Sequence, residues 1–128
     1  MSPAIAVSWG ELIDRITILE IKAKLLESDV SRNNVRRELE HLASAVSPGE
    51  MEHPELAALK ASLKRVNETL WQIEDDIRDK EAAKCFDQEF IDLARAIYRT
   101  NDERGRIKHE INALLKSDIA EEKQYSRY

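Results

Sequence analysis

Leu56, Leu59, Leu63, Val66, Leu70, Ile73 and Ile77 recur at alternating steps of three and four residues. That spacing lines one edge of an α-helix and, sustained over several turns, makes a coiled-coil seam. Pro54 stands where a first-turn proline belongs, so the pattern predicts a helix over about 54–84. Asp87 caps a second helix over about 87–116. Its apolar positions, Phe90, Leu93, Ala94 and Ile97, then Ile107, Ile111, Leu114 and Leu115, answer the first stripe. Each helix would be about 45 Å long, and a turn as short as Cys85-Phe86 forces them antiparallel. Gly105 is the expected weak point, because glycine disfavours helix interiors.

Two shorter helices precede this hairpin. Ser8-Trp9-Gly10-Glu11 has the capping-box form and opens a helix over about 9–27. Ser28-Asp29-Val30-Ser31 offers caps for another over about 32–45, which the loop Ser47-Pro48-Gly49-Glu50 stops. Asp118 and Glu121 could start a last helical turn before the tail. The fold class is therefore all-α: a long antiparallel coiled-coil-like hairpin packed with two N-terminal helices, in one domain over 1–128. The first helix is apolar on two sides. Trp9, Leu12, Ile13, Ile16, Leu19, Ala23 and Leu26 make one face, and Ile18, Ile21 and Leu25 a second. Such a helix needs two neighbours, which predicts a central place in the bundle or a homodimer interface. A homodimer is expected, with Ile18, Ile21 and Leu25 covered by a partner subunit or by the second helix.

The candidate chemistry lies where the stripes break. After Ile97, the inward positions of the last helix are Asn101, Arg104 and Lys108, and apolar residues resume fully at Ile111. Folding the hairpin about residues 85–86 sets Arg104 opposite Asn67. A second stripe, Asn67, Trp71, Glu74, Arg78 and Glu81, runs beside the apolar one, and Glu20 interrupts the main face of the first helix. Buried charges must pair with each other or with a ligand. The candidate polar layer is thus Glu20, Asn67, Trp71, Glu74, Arg78, Asn101, Arg104 and Lys108. Two readings stand: a layer that fixes register and partner, or a site for a phosphorylated or sugar-nucleotide ligand with Asn67, Arg78, Arg104 and Lys108 as donors. Glu20 is expected to be buried and paired with Arg104, whose planar fork matches a carboxylate.

Composition narrows the field. Charged residues make up 35% of the chain but are interleaved, and the net charge is −5, so the basic patch of a nucleic-acid binder is missing. No apolar run approaches a membrane span. The N-terminus lacks the basic start and the length of a signal peptide, and the lone Cys85 fits a reducing compartment. A cytoplasmic protein is expected. Glu38–His41 and Glu50–His53 both read Glu-x-x-His, as in di-iron bundles, yet the lone glutamates of that site are not evident, so no metal is assigned. The acids Glu74, Asp75, Asp76 and Asp79 read as a solvated face rather than a Mg²⁺ site. His41, His53 and His109 read as exposed. Trp9 and Trp71, beside apolar stripes, read as core, and no cofactor motif is present.

Gly10-Glu-Leu-Ile-Asp-Arg-Ile-Thr-Ile-Leu-Glu-Ile-Lys22 and Val66-Asn-Glu-Thr-Leu-Trp-Gln-Ile-Glu-Asp75, with Asn101-Asp-Glu-Arg104 and Glu121-Glu-Lys-Gln-Tyr125, carry a family resemblance. Over most of its length the chain resembles a small family of uncharacterised bacterial helical proteins. The resemblance implies a context beside cell-surface polysaccharide glycosyltransferases and carries over no catalytic residue. The function expected is a non-enzymatic interaction or scaffold module with a protein partner. The alternative is a small-ligand binder or enzyme using the polar layer.

Overall fold

A computed structural model describes residues 1–47, 49 and 52–127. Among them the chain is all-helical, without strands: α1 spans Trp9–Leu25, α2 Asp29–Ala43, α3 Pro54–Ala82 and α4 Gln88–Leu114. Pro48 and Glu50 of the predicted loop, and Tyr128 of the tail, lie outside the described residues.

The apolar stripes build the core where three helices meet. Ile13 and Ile16 of α1, Leu56, Leu63 and Val66 of α3, and Ile107 and Ile111 of α4 form one buried cluster with Val46. Burying side chains of this size stabilises by roughly 1.5–3 kcal/mol each. α1 occupies the centre, touching α2, α3 and α4, while α2 lies against α1. Its two apolar faces therefore find their neighbours largely within the chain. Ile21 is buried and Ile18 half-buried on the side toward the hairpin, whereas Leu25 remains exposed. The side toward α2 carries the Arg15–Glu38 ion pair instead.

The hairpin turn closes through hydrogen bonds that the composition does not advertise. α3 ends in a Schellman motif: Cys85 N–H donates to Lys80 O (2.9 Å) and Lys84 N–H to Glu81 O (3.0 Å). Lys84 takes the left-handed φ of 52° that glycine usually supplies. Asp87 then caps α4, accepting from Phe90 N–H at 3.0 Å. That bond, with the one from Lys80, holds its carboxyl down to about 2. Glu89 and Asp87 in turn raise the Lys80 ammonium above its ordinary value. α4 ends in the same way, with Lys116 at φ 52° and Ser117 N–H on Asn112 O. Both long helices thus stop two residues before the expected 84 and 116.

Other boundaries also move. Ser28, rather than Ser31, caps α2, accepting from Ser31 N–H, so α2 begins three residues early. α1 stops at Leu25 because Leu26 turns extended. Gly105 does not interrupt α4: it is buried, and the Lys123 side chain lies where a β-carbon would point. The turn expected at Asp118–Glu121 is not helical, because Glu121 is drawn to Lys108 on α4.

α1 crosses the hairpin obliquely. Gly10 lies against Lys108 and Asn112 of α4, and Glu20 reaches Lys60 and Lys64 of α3. The crossing lies over the first half of α3 and the second half of α4. No residue from Glu74 to Arg104 is buried: this distal hairpin is a two-helix arm, with α1 lining a cleft beside Glu74, Arg78 and Arg104 and the tail lining another beside Ile97 and Asn101.

Candidate functional site

Gly10, Asp14, Thr17 and Ile21 form a line along α1 at steps of four, three and four, and all four are buried. Asp14 (1% exposed) and Thr17 (0%) therefore enter the interior as polar residues and must find partners there. Arg104 grips Asp14 bidentately, Nε to Oδ1 at 3.0 Å and Nη2 to Oδ2 at 2.5 Å. Asn67 Nδ2 donates to Asp14 Oδ1 and to Thr17 Oγ1, each at 2.9 Å. The Thr17 hydroxyl donates to Asp14 O one turn back at 2.8 Å. Three helices are locked together through one carboxylate.

A turn closer to the start of α1, Lys108 Nζ donates to Glu11 Oε2 (2.7 Å) and Glu121 Oε2 (2.8 Å), with Asp14 Oδ2 at 4.0 Å. The electrostatics follow from these neighbours. The bond to Asp14 raises the Arg104 guanidinium above its usual range. Burial alone would lower the Lys108 ammonium, but Glu11, Glu121 and Asp14 outweigh it and hold the group above an ordinary lysine. Lys108 in turn pulls the Glu121 carboxyl below its usual value.

The free N–H groups of the first turn of α1 are taken up by α4, by Ser117 just beyond it and by the cap Ser8. Trp9 N–H donates to Ser117 Oγ (2.8 Å), Gly10 N–H to Asn112 Oδ1 (2.6 Å) and Glu11 N–H to Ser8 Oγ (3.1 Å). The expected capping serine is therefore in place. Glu11, however, does not reach back to complete a capping box, because Lys108 takes its carboxylate.

Two sequence expectations fail here. Glu20 does not pair with Arg104; it is half-buried and meets Lys60 and Lys64 of α3 at 3.2 and 3.4 Å. The oblique crossing carries Glu20 to the start of α3, while Asp14, nearly two turns earlier, takes Arg104. Lys108 is no free donor, because three carboxylates surround it. The remaining six, Asn67, Trp71, Glu74, Arg78, Asn101 and Arg104, do converge. With Ile18, Ile21, Leu70 and Asp75 they line an open cleft of about 600 Å³ above the Asp14 cluster. Glu74 accepts from Arg78 at its rim (3.2 Å). Trp9 packs against the core as expected, whereas Trp71 faces this cleft.

Among the described residues, no three His, Cys, Asp or Glu side chains gather as a metal site would require. His41 and His109 are exposed. His53 departs from the expectation: it is half-buried at the start of α3, and its Nδ1 is buried with no partner among the described residues. Glu50, its Glu-x-x-His partner, lies outside those residues. Cys85 is half-buried at the hairpin turn.

Sequence reasoning missed Asp14, Thr17, Glu11 and Glu121. The first two carried a readable signal, since they share the heptad-like spacing of Gly10 and Ile21. Glu121 was read only as part of a last helical turn, and in a tail without periodicity no spacing pointed it to Lys108. Residues 4–128 match the family of unknown function DUF6165, and the chain belongs to that family. No curated protein and no solved structure matches it. No helix among the described residues is long and apolar enough to cross a membrane.

Proposed function

We propose that the protein is a non-enzymatic helical interaction module of the bacterial cytoplasm, serving enzymes of cell-envelope polysaccharide synthesis through its two-helix arm. The observation that carries this reading is the exposure of the arm: thirty-one consecutive residues, 74 to 104, none of them buried. Phe86, Ile91 and Tyr98 stand 57%, 47% and 41% exposed along it, an apolar display of the kind that marks an interface. The paired state of the buried cluster supports a scaffold over a catalyst. Asp14 is occupied by Arg104 and Asn67, and Lys108 by carboxylates, which suits fixing the arm's pose on α1 better than moving protons.

The resemblance supplies the partner class, a polysaccharide glycosyltransferase, and self-association into a homodimer through the same arm is part of the proposal. The test is co-purification with a co-expressed polysaccharide glycosyltransferase, alongside light scattering of the chain alone. Wild type should retain the enzyme and run as a dimer. Phe86→Ser with Ile91→Glu should keep the helical signal and unfolding temperature but lose both. A monomer that retains no glycosyltransferase, or a double variant that behaves as wild type, would overturn the reading.

A further inference from the structure

The cleft above the Asp14 cluster, at the base of the arm, has a chemistry of its own. Its charges cancel in pairs: Arg104 is held by Asp14, and Arg78 by Glu74. Lys108, which the phosphorylated-ligand reading needed, is enclosed by Glu11 and Glu121 and does not line the cleft. Only the exposed Asp75 is left over. The site therefore favours neither a phosphate nor a strong cation.

What it offers instead is a set of uncommitted neutral hydrogen-bonding groups around an aromatic ring. Among the described residues, no hydrogen bond engages the carboxamide of Asn101 or the indole N–H of Trp71. Asn67, only 5% exposed, spends both amide hydrogens on Asp14 and Thr17. Its Oδ1 has no donor among the described residues, and Asn67 lines the cleft. An amide offers both donors and acceptors, an indole one donor and a π face. Ile18, Ile21 and Leu70 complete the apolar part of the wall. A volume of about 600 Å³ lies within the range of small-molecule sites.

From these features we infer that the cleft binds a neutral, hydroxyl-rich ring, a pyranose sugar unit. Its C–H face packs on Trp71, and its hydroxyls satisfy Asn67 Oδ1 and the Asn101 amide. Each hydroxyl both donates and accepts, which is what a mixed set of amide groups without net charge matches and what a phosphate or a polyamine does not. The cleft lies at the base of the arm but is not lined by Phe86, Ile91 or Tyr98, so the inference stands or falls without the proposed interface.

The test titrates the full-length, ¹⁵N-labelled protein with D-glucose, D-galactose, N-acetyl-D-glucosamine and the disaccharide maltose. Inorganic phosphate and spermidine serve as charged comparisons. The chain has two tryptophans, so the core residue Trp9 provides an internal control. A sugar should move the Trp71 indole and Asn101 amide signals with a millimolar Kd and leave Trp9 in place. A response to maltose as strong as to glucose would place a glycan end in the cleft, and a response to free hexoses alone would limit it to monosaccharides. Trp71→Ala and Asn101→Ala should each weaken binding at least about tenfold. Should Trp71→Ala fail to fold, Asn101→Ala decides alone. Silence from every sugar at about 100 mM, roughly a hundredfold above a millimolar Kd, would overturn the inference. So would stronger shifts with phosphate or spermidine, or wild-type binding by Asn101→Ala.

Discussion

Gly10 of α1 lies so close to Lys108 of α4 that a β-carbon at position 10 would stand 2.5 Å from the Lys108 carbonyl oxygen and 2.9 Å from Asn112 Oδ1. The approach lets Gly10 N–H reach Asn112 at 2.6 Å. In an ordinary helix, Gly→Ala stabilises by up to about 1 kcal/mol. Here the sign should reverse. Gly10→Ala is expected to cost about 1–3 kcal/mol, because the obstacle is backbone and cannot swing aside. Urea unfolding of the variant measures it, and a gain in stability would show that α1 and α4 do not pack this closely.

Asp14→Ala should be the most damaging single change in the polar cluster. It strands Arg104 and Asn67 together, at a cost of about 3–5 kcal/mol. Glu20→Ala removes only half-exposed partners, Lys60 and Lys64, and should cost about 1 kcal/mol or less. If the cluster is structural, Asp14→Leu combined with Arg104→Met recovers most of the loss in a double-mutant cycle. Equal costs for Asp14→Ala and Glu20→Ala would contradict the geometry.

The clasp between Lys108 and Glu121 sets the pH dependence of the tail. Glu121 has a lowered folded-state value. Its contribution is therefore complete above the ordinary glutamate value and lost as pH falls through the lowered one. Lys108 has a raised value, so its contribution is complete below the ordinary lysine value and lost as pH rises through the raised one. The tail should be fastened across the neutral range and released at both extremes. Amide exchange of residues 119–125 against pH reads this directly, and Glu121→Gln should abolish the acid limb.

Lys84 and Lys116 hold a left-handed φ of 52° at the two helix ends, where a side chain costs roughly 1–2 kcal/mol. Lys84→Gly should therefore stabilise the chain by about 0.5–1 kcal/mol, after the greater freedom of glycine in the unfolded chain is subtracted. A calorimetric rise in unfolding temperature checks this. A fall would mean that the turn does not adopt the Schellman geometry.

The all-α class, the antiparallel hairpin and the Ser8 and Asp87 caps were legible in the sequence, because each follows from spacing within one segment. Stripes at steps of three and four select the helix, and a short turn selects the antiparallel partner. The same local logic brought Asn67, Trp71, Glu74, Arg78, Asn101 and Arg104 to one region, since the hairpin fixes their register. What only the tertiary structure decided is how α1 crosses that hairpin. Periodicity fixes the face of a helix and not the angle at which it meets another. Here the angle depends on Gly10 having no side chain and on Asn112 and Ser117 receiving the first N–H groups of α1. The crossing gives Arg104 to Asp14 rather than to Glu20, and folds Lys108 between Glu11 and a tail residue, Glu121, that no sequence period could have placed.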